Sequence, residues 1–320
     1  MHRLYNSLPA VLAILFLSFT VKPFYRQIEN DGGTTAAAAG AVSAPVLHEK
    51  RQLPSDLEVG GDLAGLQGEA TRYITREELL ALPRVTFTVT DDTNFTGATK
   101  IGGVSLEELA KRLGAAPESD LVVAICDDKY RSSYPLEYMA AHHPVLVLNV
   151  NGQPPSGWPK DSVEHKFDMG PYMISNPNFK PSFKILSHQD EAQIPWGVVR
   201  IEFRNEKIVF GSIAPRGSHA AESDVQAGFH IAQQNCLRCH NMGSEGGKKS
   251  GVPWTELGRY AEDSPEIFAA YIHDPRENNP NAQMPGNPGY DAPTLAALTS
   301  YFKTFAGTEN IPREKPREKQ

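Results

Sequence analysis

The distribution of apolar and polar positions divides the chain into a leading apolar run, a stretch without period, a strand-rich region and a helical region. Arg84–Asp92 ("RVTFTVTDD") alternates Val85, Phe87 and Val89 on one face, the period of a half-buried strand. "DLVVAICDD" (120–128), "HPVLVLNVNG" (143–152) and "WGVVRIEF" (196–203) are β-branched apolar runs, the first two closed by turn residues, and predict further strands. Between the first two strands, "SLEELAKRLGA" sets Leu106, Leu109 and Leu113 at helical spacing, with Ser105 as N-cap and Gly114 as stop. Residues 71–213 therefore read as one mixed α+β domain. Around "GSIAPRGSHAAES" the pattern changes, and 214–222 reads as a linker. From 223 to 307 the chain is helical and loop-rich, with no predicted strand. "SDVQAGFHIAQQN" predicts a helix; "SPEIFAAYIHD" starts one with a Ser264 cap and Pro265 in the first turn. "DAPTLAALTSYFKTF" places Leu295, Leu298, Phe302 and Phe305 along one stripe.

The first 28 residues carry His2 and Arg3 ahead of an apolar run from Leu8 to Val21. That run is short for a membrane span and suits the core of a signal peptide. No small-x-small cleavage site follows it, so cleavage and retention as an N-terminal anchor are both open. Residues 29–70 are rich in Gly, Ala, Ser and Pro with no sustained apolar period, and read as a flexible linker reaching about 35 Å. The tail 308–320 is charged. No internal repeat is present.

Composition narrows the function. Apolar residues make up 40% of the 320, enough for real cores, and the formal charge of -7 argues against nucleic acid as a partner. Three cysteines, Cys126, Cys236 and Cys239, are too few for a disulfide-stapled scaffold.

Two of them stand in Cys236-Leu237-Arg238-Cys239-His240. A zinc site needs four ligands, and no second cysteine pair occurs. A redox pair of the thioredoxin kind belongs where a strand meets a helix, whereas this pair follows a helix. C-x-x-C-H is also the pattern of covalent haem attachment, with both thiols joined to the haem vinyl groups and His240 below the iron. Of the two methionines beyond His240, Met242 lies two residues on, too near to reach the opposite face. Met284, in the Pro/Gly-rich "NPNAQMPGNPG", can cross the haem edge and present sulfur from the other side. His273 is the competing ligand, read as a surface histidine at a helix end.

Residues 224–306 thus resemble a class I cytochrome c domain, in the order helix, "CLRCH", proline loop, middle helix, methionine loop, C-terminal helix. The resemblance implies that Gly228 and Phe229 meet Tyr301 and Phe302 where the terminal helices cross. It also implies that the carbonyl of Pro253 accepts a hydrogen bond from the His240 imidazole. His/Met ligation fills both axial positions, which suits single-electron transfer at a raised potential.

The strand-rich region resembles, over 73–211, the molybdopterin-binding domain of the sulfite oxidase superfamily. The resemblance rests on Gly103, Val104, Leu106 and Leu109, the Asp128-Lys129-Tyr130 turn, Gly170-Pro171 and Trp196. Cys126 does not match the family's metal-ligand position and is expected to be a small buried hydrophobe. Arg131, His142, His143 and His165 are scattered rather than clustered as pterin contacts. The fold class is therefore α+β: a mixed-sheet, sulfite-oxidase-like domain followed by an all-α cytochrome c domain.

The function this implies is that of an exported c-type cytochrome, periplasmic or on the outer face of the cytoplasmic membrane. It would exchange electrons with redox partner proteins through one covalent haem c, with an N-terminal docking or substrate-binding module and a possible tether through the N-terminus. The alternative is a molybdopterin-dependent oxidoreductase of the sulfite-dehydrogenase kind with a built-in haem acceptor; a third, a haem sensor.

Overall fold

A computed structural model of the protein describes residues 44–66, 70–90, 92–159, 168–177 and 193–307. The leading segment, the tail and His165 lie outside these. Nine strands of the described residues form one sheet: β1 (Leu57–Gly61), β2 (Thr71–Ile74), β3 (Val85–Val89), β4 (Thr99–Ser105), β5 (Leu121–Cys126), β6 (Arg131–Pro135), β7 (Val145–Val150), β8 (Tyr172–Ser175) and β9 (Trp196–Arg204). The order is β2-β1-β9-β8-β7-β4-β3, with β5 also on β9 and β6 on β5. The sheet is mixed, since β1 runs parallel to β9 while the other pairs are antiparallel. The β5, β7 and β9 strands fall where the apolar runs predict them. β3 has a neighbour on one side only, and Val85 is 42% exposed, so its alternation is that of an edge strand.

Helices α1 (Arg76–Ala81), α2 (Leu106–Leu113), α3 (Leu136–His142) and α4 (Glu206–Gly211) accompany the sheet. α2 has the predicted ends: Ser105 Oγ accepts from the Glu108 amide at 3.1 Å, and Gly114 closes it at φ +73°. Leu106, Leu109 and Leu113 bury their stripe with Leu57, Val59 and Phe203 in one core.

The linker expected over 29–70 is corrected by β1. Leu57 and Val59 are fully buried, and Leu63 is 4% exposed. The glycines that suggest flexibility have a packing reason. At Gly61 (φ +81°) a Cβ would stand 2.1 Å from the Phe203 carbonyl oxygen, so only glycine lets the strand end lie against β9.

Beyond 223 come α5 (Asp224–Gln234), α6 (Trp254–Asp263), α7 (Pro265–His273), α8 (Pro275–Asn278) and α9 (Ala292–Lys303). Pro265 opens α7 as predicted, but Ser264 makes no side-chain cap, its φ of -152° turning it away from capping geometry. The all-α expectation is also corrected: β10 (Asn241–Met242) and β11 (Glu245–Gly246) form a two-rung antiparallel ladder. The two regions share a core. Leu121 and Val123 of β5, with Val209, Phe210 and Ile213, pack with Trp254, Tyr301, Phe302 and Phe305. Tyr301 donates its hydroxyl to the Ile213 carbonyl at 2.6 Å. Among the described residues no helix is long and apolar enough to cross a membrane.

Candidate functional site

The site is built at the end of α5. Ser223 caps that helix, and Gly228 lets it cross α9 closely. A Cβ at Gly228 would lie 2.2 Å from the Ala297 carbonyl oxygen and 2.7 Å from Tyr301 Cβ. Phe229 and Tyr301 meet at 5.7 Å between ring centres, the crossing that the sequence implies. The helix then leaves its regular pattern. The Cys236 and Leu237 amides both donate to the Ala232 carbonyl at 3.0 Å. The Cys239 and His240 amides donate to the Cys236 carbonyl at 3.2 and 2.9 Å. Five residues thus wind into one turn, anchored by Leu237, which is 3% exposed. Cys236 and Cys239 are half-buried thiols, not a disulfide. Burial pushes the Cys239 thiol up, against the pull of Lys249 and Arg238.

His240 is 8% exposed. Its Nδ1 lies 2.8 Å from the Val252 carbonyl oxygen and 3.0 Å from Ser250 Oγ. A carbonyl only accepts, so Nδ1 carries the proton and Nε2 keeps its lone pair for a metal. Burial also lowers the imidazole pKa, outweighing the Val252 bond, and keeps the ring neutral. The expected acceptor, Pro253, is corrected by one residue. The Pro253 carbonyl accepts from the Glu256 and Leu257 amides at 3.0 and 3.3 Å, because Pro253 is the N-cap of α6. The preceding carbonyl, Val252, is the one turned to His240 and the one that lines the cavity.

A cavity of about 820 Å³ opens beside this turn and brings the predicted residues together. Cys236, Cys239, His240 and Met284 all line it. Its apolar wall includes Leu257, Phe268, Ile272, Leu298 and Phe302. The loop carrying Met284 is fixed to the end of α7, where the Asn287 amide donates to the His273 carbonyl at 2.9 Å and its side-chain Nδ2 to the Ile272 carbonyl at 2.9 Å. Asn235 Nδ2 donates to the Tyr290 hydroxyl at 2.7 Å, tying the far end of that loop to α5. Neither Met242 nor His273 lines the cavity: Met242 packs in the shared core and belongs to β10. Two thiols, a neutral imidazole with a fixed tautomer, a thioether and an apolar cleft are the donor set and surroundings that a covalently held haem requires.

Among the lining residues that sequence reasoning did not assign to this site is Tyr130, read there only as part of a turn; it comes from the β5–β6 turn of the sheet region. It is paired there with Arg238, and burial raises its phenol pKa above the Arg238 contribution.

The candidate pterin residues are not brought together. Cys126 is 4% exposed among the apolar residues of the sheet core, and burial drives its thiol far up. Arg131 reaches the Ser244 carbonyl at 3.3 Å. His142 is buried on α3 against the Tyr138 ring at 4.5 Å, while His143 is exposed and pairs with Glu107 at 3.0 Å. Among the described residues no three His, Cys, Asp or Glu side chains stand where they can hold a metal ion.

No protein-family profile matches the chain, and no curated protein matches it in sequence. Among solved structures it is similar to the sulfane dehydrogenase SoxCD from Paracoccus pantotrophus. The match has a TM-score of 0.31 and 17% identity, over 49% of this chain and 40% of that one. The alignment therefore spans about two fifths of SoxCD, and a superposition this partial does not define a shared fold.

Proposed function

We propose that the protein is an exported, electron-transferring c-type cytochrome carrying one covalent haem c. The observation that carries this is the convergence of Cys236, Cys239, His240 and Met284 on one cavity, with His240 Nδ1 held by Val252. Haem, when bound, supplies reversible one-electron chemistry at iron. The chain does the rest. Cys236 and Cys239 anchor the ring to the turn after α5. His240 through Nε2 and Met284 through its sulfur would hold the iron. Leu257, Phe268, Ile272, Leu298 and Phe302 exclude water, which favours the less charged, reduced state. With both residues bound, the group would exchange single electrons rather than bind oxygen or peroxide.

Haem attachment of this kind in bacteria takes place outside the cytoplasm, in keeping with the apolar leading segment. Soluble or membrane redox proteins are the proposed partners, with the sheet region as the docking or substrate-binding module. The burial of Cys126 supports a packing role for it rather than molybdenum ligation. The test is denaturation: haem absorbance should stay with the polypeptide through acid-acetone extraction, and Cys236→Ala with Cys239→Ala should abolish attachment. Haem released from wild-type protein would sink the assignment.

A further inference from the structure

We infer that the haem site is completed by the sheet region, with Tyr130 as the wall of the cavity beside Cys239. This rests on the haem reading above. Tyr130 is separated from Cys239 by more than a hundred residues and belongs to a different region, yet it lines the same cavity. It is not a chance neighbour, because the Asp128–Arg131 turn grips the attachment turn and the segment that covers it. The Arg131 amide donates to the Arg238 carbonyl at 2.9 Å, beside Cys239. The Lys248 amide donates to the Lys129 carbonyl at 3.1 Å. Lys249 Nζ pairs with Asp128 Oδ2 at 2.5 Å and stands 5.7 Å over the Tyr130 ring. Farther along the same contact, Arg204 Nη2 meets Glu245 Oε1 of β11 at 2.7 Å, and Gln193 Nε2 meets Gln234 Oε1 of α5 at 2.9 Å.

Two consequences follow. The phenol, hydrogen-bonded to Arg238, is a fixed wall and not a mobile surface side chain. Protein also covers the Cys239 side of the cavity, so the sheet region controls how much water reaches that side of the haem. A haem edge that meets water has its oxidised state better solvated than one walled by protein. Tyr130 therefore acts as a positioning residue that holds the haem's exposure low and its potential high.

The experiment uses full-length holoprotein with Tyr130→Phe and Tyr130→Ala. Covalent haem content is measured on denatured protein, midpoint potential by spectroelectrochemistry, and the second-order rate of oxidation by ferricyanide by stopped flow. Both variants should keep one haem per chain, since all four haem-bonding residues remain. Tyr130→Ala should lower the midpoint potential, change the Soret circular dichroism and speed ferricyanide oxidation several-fold. Tyr130→Phe, which keeps the wall and loses only the hydroxyl, should stay near wild type in rate. Tyr73→Ala, a tyrosine on β2 away from the cavity, should change stability without moving the potential. Full haem content in Tyr130→Ala with unchanged potential, dichroism and rate overturns the inference while leaving the haem assignment intact. Should Tyr130→Ala not fold, a Tyr130→Ser variant, which also removes the wall, overturns it equally if its potential and rate are those of wild type. Wild-type protein without covalent haem overturns both.

Discussion

The crossing of α5 and α9 sets where the cysteines stand, and Gly228→Ala tests it. A Cβ there would be 2.2 Å from the Ala297 carbonyl oxygen, 2.7 Å from its carbon and 2.7 Å from Tyr301 Cβ. None of these atoms is the far end of a flexible side chain, so the helices must part by roughly 1 Å to restore contact distance. Overpacking of this kind costs about 1–3 kcal/mol, and a clash with backbone lies at the upper end. Alanine returns about 1 kcal/mol of helix propensity. The expected net loss is about 2 kcal/mol. Gly211, at the end of α4, is the control: nothing lies within 4 Å of its Cβ position, so Gly211→Ala should be neutral or stabilise by a few tenths of a kcal/mol. Urea unfolding of both variants gives the two signs, with unchanged slopes showing that only stability moved. A Gly228→Ala protein as stable as wild type would refute close helix crossing as the reason for glycine.

Two more expectations concern the sheet region. Cys126→Ala should leave haem content and redox cycling unchanged at a stability cost of about 1 kcal/mol, and the buried thiol should resist alkylation at pH 8 in native protein; loss of a substrate-driven haem reduction in a folded variant would restore the molybdenum alternative. Burial alone would raise the Glu202 carboxyl, but Arg200, Arg131 and Arg204 outweigh it and hold the pKa below its ordinary 4.5. Its contribution is therefore present above pH about 4.5 and lost as pH falls through the lower folded value, so unfolding free energy should rise with pH across that acid window. Glu202→Gln should flatten this limb and cost on the order of 2 kcal/mol at pH 7, since Arg200 and Arg204 lose a charged acceptor at 2.6 and 3.0 Å but keep Glu58 and Glu245; an acid limb as steep as wild type would count against it.

What the sequence makes legible follows from how local each cause is. β5 and β7 are buried along nearly their whole length on both faces, so their runs are unbroken, whereas β9 alternates Ile201 and Phe203 with Arg200, Glu202 and Arg204. β4 is hidden because Gly102 and Gly103 interrupt its run at a register shift against β7. β6 reads "RSSYP", a polar segment whose Ser132 and Ser133 are buried only through pairing with β5. The attachment turn is local and readable from five residues. The hydrogen-bond acceptor for His240 depends on which carbonyl α6 has already engaged, a one-residue distinction that spacing does not resolve. Tyr130 is beyond any local pattern, since a tertiary contact alone brings its turn to Arg238.

In the proposed haem site, the second ligand decides whether electrons are transferred or the iron opens to chemistry. Met284 lines the cavity and Met242 does not, although both follow His240 in the chain. A thioether bound to ferric haem gives a weak charge-transfer band in the red, so that band should be present in wild type and absent in Met284→Ala. Met242→Ala should retain it, because that side chain does not line the cavity. Met284→His should lower the midpoint potential, since imidazole stabilises ferric iron better than a thioether does. The Met284 loop is tied down by Asn287 on α7, so a shortened side chain leaves a gap that the loop is not free to close. Water or a small anion such as azide should then bind in Met284→Ala and shift its Soret band, while wild type stays inert. If Met242→Ala removes the band and Met284→Ala keeps it, the ligand is misassigned. If neither variant changes the spectrum, a different group occupies the sixth position, His273 being the nearest candidate by sequence. The proposed electron-carrier function would then give way to ligand-binding or peroxide chemistry at an exchangeable iron site.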